Sequence, residues 1–339
     1  MQAGSEFSHK IPKYHSNDIS ATLGGPVPLL NKTYFFTGWE PLLALTQSTN
    51  SSAVFEDPQF TAWAKQNFPD TNGTKLLSAY PASNVSDVSV AKTASDIYGS
   101  DCGTPAEANI PCALPVFDNG VFNATNTRNA LQYNVRIDKY FKNDRVYGNY
   151  YRTGLDLGGP SIRVGMEAPQ HYIVRSFQSN ETHTFSPDTL NQVGFGFLRM
   201  EGLLNKTGPF HVPIVSVSGW NVNIGVSKAH ENYVQHHYTW RDVVTHIYKT
   251  HDLSFGYEGF HGDNLTFFGQ WFSQPAFSFQ DPVSLVEDNV YSETGVAFNP
   301  VTRQQAGALG GSVRAQGNTF GLFAQDSWKA TRQLTLNYG

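Results

Sequence analysis

Histidine is the side chain with the clearest chemical potential in this chain. His230, His236, His237, His246, His251 and His261 fall within residues 230–261. A metal ion needs three or four converging ligands. Their spacing matches no ligand signature. On a strand, adjacent His236 and His237 point to opposite faces and cannot hold one ion. His246 and His251 flank a tight turn, the only pair expected to approach each other. No metal site is therefore expected, and the histidines read as structural. Cys102 and Cys112 lie in a Pro/Gly/Asn-rich stretch. They read as a local loop disulfide formed in an oxidising compartment. Two free thiols are the alternative, because spacing alone makes no bond. Two cysteines are too few for a four-ligand zinc site. Gly194-Phe195-Gly196 and Gly24-Gly25 sit inside strand-like sequence with no helix after them, which argues against phosphate binding. The acid pair Glu287-Asp288 reads as solvated loop. No acid, base and stabilising group assemble, so neither an enzyme nor a bound cofactor is expected.

The elements that carry these residues alternate with period two. Phe320, Leu322, Ala324 and Trp328 face one way, with Gly321, Gln325, Ser327 and Lys329 on the other and Phe323 as the exception. After a turn at residues 330–332, Leu334, Leu336 and Tyr338 alternate with Gln333, Thr335 and Asn337. Upstream, Leu131, Tyr133, Val135 and Ile137 alternate with Gln132, Asn134, Arg136 and Asp138. The runs around Ile19–Leu23, Val193–Phe197 and Leu253–Tyr257 repeat the pattern. Each is a strand with one greasy and one wet face. A Trp closing the greasy face suits an aromatic girdle at a membrane–water boundary. The expected lipid-facing set is Leu131, Tyr133, Val135, Ile137, Phe320, Leu322, Leu334 and Leu336. Trp328 and Tyr338 are the expected interface aromatics.

Composition agrees. Only 15% of the 339 residues are charged while 14% are aromatic, against a typical charged share of about 25%. Mean hydropathy is −0.36, so polarity comes from neutral groups, as a hydrated lumen and polar loops require. Net charge is −5 with no long basic run, which leaves no footprint for nucleic acid. No apolar run approaches the ~20 residues of a membrane helix. Asn-x-Ser/Thr sequons are frequent, as chance allows in a chain this rich in those residues.

Connections are expected to alternate between tight and long. Strand 18–27 turns at 28–32 into 33–40. Residues 41–129 form a long irregular loop with a short helix within 55–68. A tight turn at 141–144 follows, then a loop at 154–170. Strands 171–185 and 190–200 meet at a 186–188 turn, and 201–232 is again long. Strands 233–247 and 251–261 meet at 248–250, and 262–318 is long with a helix near 281–291. This is the asymmetry of outer-membrane barrels, with strands from Thr33, Arg145, Leu190, His251 and Leu334 running outward.

Three hairpins carry a family resemblance. Asn17–Val27 with Asn31–Phe36 and Trp39-Glu40, Asn134–Asp138 with Asp144-Arg145 and Tyr147-Gly148, and Gly321–Lys329 with Leu334–Asn337 resemble hairpins of Oar-like TonB-dependent transporters. His183–Pro187 and Leu253–Glu258 fit intervening strands. Ser20 and Ala21 depart from the family's glycines, and the long loops match nothing. The resemblance implies an all-β chain: a partial transmembrane antiparallel β-barrel, about ten strands of a plugged 22-stranded barrel, across residues 1–339. It implies residence in the outer membrane of a Gram-negative-type bacterium and contact with outer-membrane lipid. It also implies import of an unidentified bulky ligand captured by loops 41–129, 201–232 and 262–318. A TonB-type energy-transducing protein would act through an N-terminal region not present in this sequence, of which the chain would be a fragment. The alternative is a secreted or surface β-rich carbohydrate-binding or adhesion protein with aromatic loops such as 267–279.

Overall fold

A computed structural model describes residues 14–47, 51–122, 124–204, 212–225, 231–268, 275–295 and 312–339. His230 lies outside them, as do 269–274 of the aromatic 267–279 segment. Strands β1 (Tyr14–Asp18), β2 (Ala21–Pro26) and β3 (Thr33–Gln47) open the chain, and β4 (Ser51–Glu56), β5 (Val85–Thr93) and β6 (Pro115–Phe122) follow. Next come the long strands β7 (Thr125–Tyr140), β8 (Asp144–Leu157), β9 (Gln170–Ser186) and β10 (Thr189–Leu204). The remaining strands are β11 (Ile214–Val217), β12 (Glu231–Tyr248), β13 (His251–Phe268), β14 (Ala276–Phe279), β15 (Ser292–Thr294), β16 (Ser312–Lys329) and β17 (Thr335–Tyr338). Four α-helices are described: α1 (Pro58–Asn67), α2 (Asn72–Ala79), α3 (Ala94–Tyr98) and α4 (Pro282–Val286).

Eleven strands form one antiparallel sheet in the order β1-β3-β7-β8-β9-β10-β12-β13-β16-β17, with β2 also on β3. β1 and β2 continue each other along the same edge of β3, interrupted opposite Pro41, which has no N–H to give the ladder. Among the described residues, neither this edge nor β17 has a further partner, so the sheet is open. Adjacent strands meet in tight turns at one end. The β12–β13 turn is only two residues, with Lys249 in the left-handed region (φ 56°), as a hairpin of matching twist requires. All long connections leave from the opposite end. The strands run past their expected limits toward that end: β3 to Gln47 rather than Glu40, β10 to Leu204, β13 to Phe268.

The register assigns every side chain to a face. Leu131, Tyr133, Val135 and Ile137 share a face with their partners Pro41, Trp39, Thr37 and Phe35. Followed through each ladder, the same face presents Tyr150, Phe177, Phe195, Phe197, Tyr238, Trp240, Phe255 and Tyr257. It ends at Phe320, Leu322, Trp328, Leu336 and Tyr338. Many of these remain exposed: Ile137 by 50%, Phe320 by 64%, Leu322 by 83%. The opposite face is polar and glycine-rich, with Asn134, Arg136, Asn149, Gln178, Asn180, Gly194, Gly196, Thr239, Arg241, Glu258 and Gly321.

The core lies elsewhere. The stretch expected to be irregular is a folded cap. β4, β6 and β5 form a three-stranded sheet, and α1 is capped by Asp57, which accepts from the Gln59 N–H at 2.6 Å. β14 pairs with β11 in parallel and with β15 in antiparallel sense. Phe60, Leu77, Ile110, Val116, Val215, Ile224, Val283 and Leu285 are buried in one cluster. They come from connections 48–124, 205–230 and 269–311, with Met166 adding the connection 158–169. Sequence alone suggested four separate loops, because the contacts that join one connection to another are all non-local.

Candidate functional site

The cap is held by polar contacts between connections. Arg163 is fully buried and forks onto Glu56, with Nη1–Oε1 and Nη2–Oε2 both 2.6 Å. Its other N–H groups donate to the carbonyls of Tyr80 (2.6 Å), Asn223 (3.0 Å) and Val222 (3.4 Å). One guanidinium thus binds three connections together, satisfying its rigid donor fork. The Asn221 side chain accepts from the Val54 N–H (2.7 Å) and donates to Ser52 O (3.0 Å). Asp288, expected to be solvated, instead accepts from the N–H groups of Asn72 and Gly73, each at 2.8 Å, at the start of α2. Gly73 is required there, because a Cβ would lie 1.9 Å from Leu285 O.

Cys102 and Cys112 are joined in a disulfide in the cap, with Cα atoms 5.1 Å apart and a separation of 10 residues. Cys102 packs in the core beside Ile110. Closing so short a loop stabilises by about 3 kcal/mol on chain-entropy reasoning. Cys102→Ser/Cys112→Ser is expected to lower the cap's urea midpoint and leave the eleven-stranded sheet intact. An unchanged midpoint would show that the bond contributes nothing.

Acidic groups sit beside the Arg163 pair. Burial, with Asp57 and Glu56 close by, pushes the Asp118 carboxyl up to about 7. The folded value lies above the unfolded one, so the native cap holds the extra proton between about pH 4 and pH 7. Its contribution is favourable below that window and is lost as pH rises through it. Asp118→Asn should flatten the fall in cap stability between pH 4.5 and 8, read from Trp63 and Trp220 fluorescence during denaturation. A slope equal to wild type would assign the proton elsewhere. Burial likewise raises the Tyr98 hydroxyl, which donates to Asp281 at 3.2 Å.

Two cavities accompany this arrangement. One, of about 500 Å³, lies in the cap between Leu76, Tyr80, Val215, Phe277 and Phe279, with Lys75 at its rim. The other, about 610 Å³, is a trough on the polar face lined by Tyr147, Gln178, Asn180, Arg241, Glu258 and Gly321. Gly321 keeps it open, with nothing within 4 Å of where a Cβ would stand. Lower on that face Arg136 donates to both oxygens of Asp138 at 2.7 and 2.8 Å and stacks over Tyr147 at 4.2 Å. Sequence reading placed Arg136, Asp138 and Gly321 on the wet side of their strands; Tyr147, Gln178, Asn180 and Arg241 join that face only through the ladders β8–β9, β9–β10 and β10–β12.

The histidines disperse. His236 and His237 lie on opposite faces. His246 and His251 share a face but take different partners, Thr189 at 2.8 Å and Asp326 at 2.7 Å. His251 also stacks on Trp328, 5.6 Å between centroids. Among the described residues, no group of three or more His, Cys, Asp or Glu converges on a metal-sized site.

An open sheet that is apolar on one face, polar on the other and asymmetric in its connections is built for a bilayer. A family model described as "Outer membrane beta barrel domain" matches residues 1–339. The chain belongs to this family. The outer-membrane β-barrel therefore resides in the outer membrane, and its 16- to 18-residue strands exceed the ~9–11 needed to span. Among solved structures it is similar to the outer membrane transporter YddB from Escherichia coli, with a TM-score of 0.55 at 8% identity. That match covers 96% of this chain and 33% of the YddB chain, so the present sequence spans about a third of that protein. At this identity the likeness is one of fold. A comparison with curated protein sequences finds no match.

Proposed function

We propose that this outer-membrane barrel takes part in importing a bulky ligand, with the cap as the capture surface and the polar face as the wall of the passage. The observation that carries the reading is that described residues from all four long connections gather into one folded cap at a single end of a two-faced sheet. Scattered loops would merely fringe a pore. A cap with its own core and cavities offers fixed side chains to a ligand before it enters. In this reading the apolar face meets lipid, the cap end is extracellular, and Trp328 and Tyr338 mark the periplasmic boundary. Uptake is energised by a TonB-type partner, as the Oar-like resemblance implies. The likeness to a named transporter is consistent with this role.

Cells with and without the gene, fed labelled iron chelates, oligosaccharides, peptides and corrinoids, provide the test. Gene-dependent uptake of one class, abolished by a protonophore, is the expected result. Gene-dependent uptake that ignores the protonophore would sink the TonB coupling. Surface binding without uptake would favour an adhesion or carbohydrate-binding role instead.

A further inference from the structure

We infer that the apolar face carries, near its cap end, a binding site for the phosphorylated headgroup of an outer-leaflet lipid, built by Arg152, Arg175 and Arg199. The inference rests on reading that face as membrane-facing.

The ladders place these arginines side by side. Arg152 is directly opposite Arg175, and Arg175 directly opposite Arg199. Directly paired residues hold their Cβ atoms about 5 Å apart, where like charges destabilise a sheet. One carboxylate answers two of the three guanidiniums. Glu201 accepts from Arg175 Nη1 at 2.9 Å and also from Arg199 Nε. Arg199 additionally meets His236 Nε2 at 3.1 Å, and the Arg152 guanidinium lies 5.9 Å from the centre of the Tyr133 ring. By contrast, Arg314 on β16 is matched one to one by Asp263, at 2.8 and 2.7 Å. Among the described residues, the row therefore holds a positive excess that Glu201 only partly compensates. Arg175 and Arg199 keep about a third or more of their side chains open, 34% and 39%.

Position selects the anion. Arg199 is ten residues along from Thr189, the start of β10. At ~3.3 Å per residue and a ~40° tilt, that puts it about 25 Å above the short turns, the height of a barrel's apolar band. Below it the same face shows Phe197, Phe177, Tyr150 and Tyr238. The row thus sits where acyl chains end and headgroups begin. Planar guanidiniums grip phosphate oxygens in bidentate fashion. Free phosphate would gain nothing from the aromatic surface beneath, whereas an acylated phospho-sugar uses both.

The test uses the intact protein in dodecyl maltoside with a diphosphorylated, acylated glucosamine disaccharide, its dephosphorylated counterpart, and inorganic phosphate. Wild type is expected to bind the diphosphorylated lipid. Arg175→Gln/Arg199→Gln should weaken that binding tenfold or more, and Arg136→Gln on the opposite face should leave it unchanged. Equal affinity in all three proteins, or equal binding of the dephosphorylated lipid, overturns the proposal. Inorganic phosphate binding as tightly as the lipid would reassign the site to free phosphate and overturn it too. A fluorophore on Leu322→Cys, read against brominated acyl chains, checks the face itself. No quenching means the membrane-facing reading has failed. Quenching together with equal affinities means only the headgroup site has failed.

Discussion

Glu56→Ala is expected to unfold the cap while leaving the barrel assembled. The substitution removes the only carboxylate that the fully buried Arg163 engages among the described residues, and it strips the Ala82 N–H of its acceptor at 3.1 Å. Breaking a buried pair from one side costs about 3–5 kcal/mol, because the surviving charge stays in a low-dielectric interior. That is a large part of the stability a small domain possesses. The damage should spread beyond β4, since Arg163 also holds the chain at Tyr80, Val222 and Asn223. Replacing both partners, as Glu56→Leu/Arg163→Met, should cost much less than the sum of the single changes, which separates the pair from mere lost packing. The readouts are trypsin cleavage within 48–124 and the fluorescence of core residues Trp63 and Trp220. Heat-modifiable gel migration reports on the barrel. A cap as protease-resistant as wild type in Glu56→Ala would mean that Arg163 does not hold the connections together.

The second large effect separates the two faces. Val135 is five residues from the end of β7 at Tyr140, about 12 Å above the turn at ~3.3 Å per residue and a ~40° tilt. That is close to mid-membrane, and Val135 lies 42% exposed on the apolar face. Val135→Arg should cost ~2–4 kcal/mol by placing a charge in hydrocarbon. Its neighbour Asn134 is on the polar face, which in the proposed reading lines the passage, so Asn134→Arg should assemble nearly as wild type. Assembly is followed by outer-membrane yield and heat-modifiable migration. Equal tolerance of the two changes would remove the lipid-facing assignment of Leu131, Tyr133, Val135 and Ile137, and with it that of Phe320, Leu322, Leu334 and Leu336.

The barrel-like strands were legible in the sequence because their information is local. Alternation at Leu131–Asp138 and Thr319–Lys329 states which side chains share a face before any partner is known, since the period of a strand is two. Tight turns at Asn143, Pro187 and Lys249 state which strands are neighbours. The two cysteines were seen as a local pair for the same reason, being 10 residues apart. Even here the limits were short. Beyond Glu40, Met200 and His261 the strands rise clear of the apolar band, the alternation of greasy and wet residues fades, and only hydrogen bonding to the next strand marks their course.

The cap was illegible for the opposite reason. Helices were expected within 55–68 and near 281–291, where α1 and α4 lie, but Phe60, Val116, Val215 and Leu285 sit in separate connections and no periodicity links them. Arg163, Glu56 and Asp288 read in sequence as ordinary polar loop residues. Only the tertiary fold brings these connections to one end, makes a common core of their scattered apolar residues and gives Arg163 its carboxylate. The arginine row depends on tertiary structure in the same way. Arg152, Arg175 and Arg199 lie on three different strands, and nothing short of the register between those strands could show that they stand abreast. What the sequence determined is the two-faced strand, because a strand's faces follow from its own alternation. What tertiary structure decided is everything built across strands and connections, because those energies come from contacts between residues far apart in the chain.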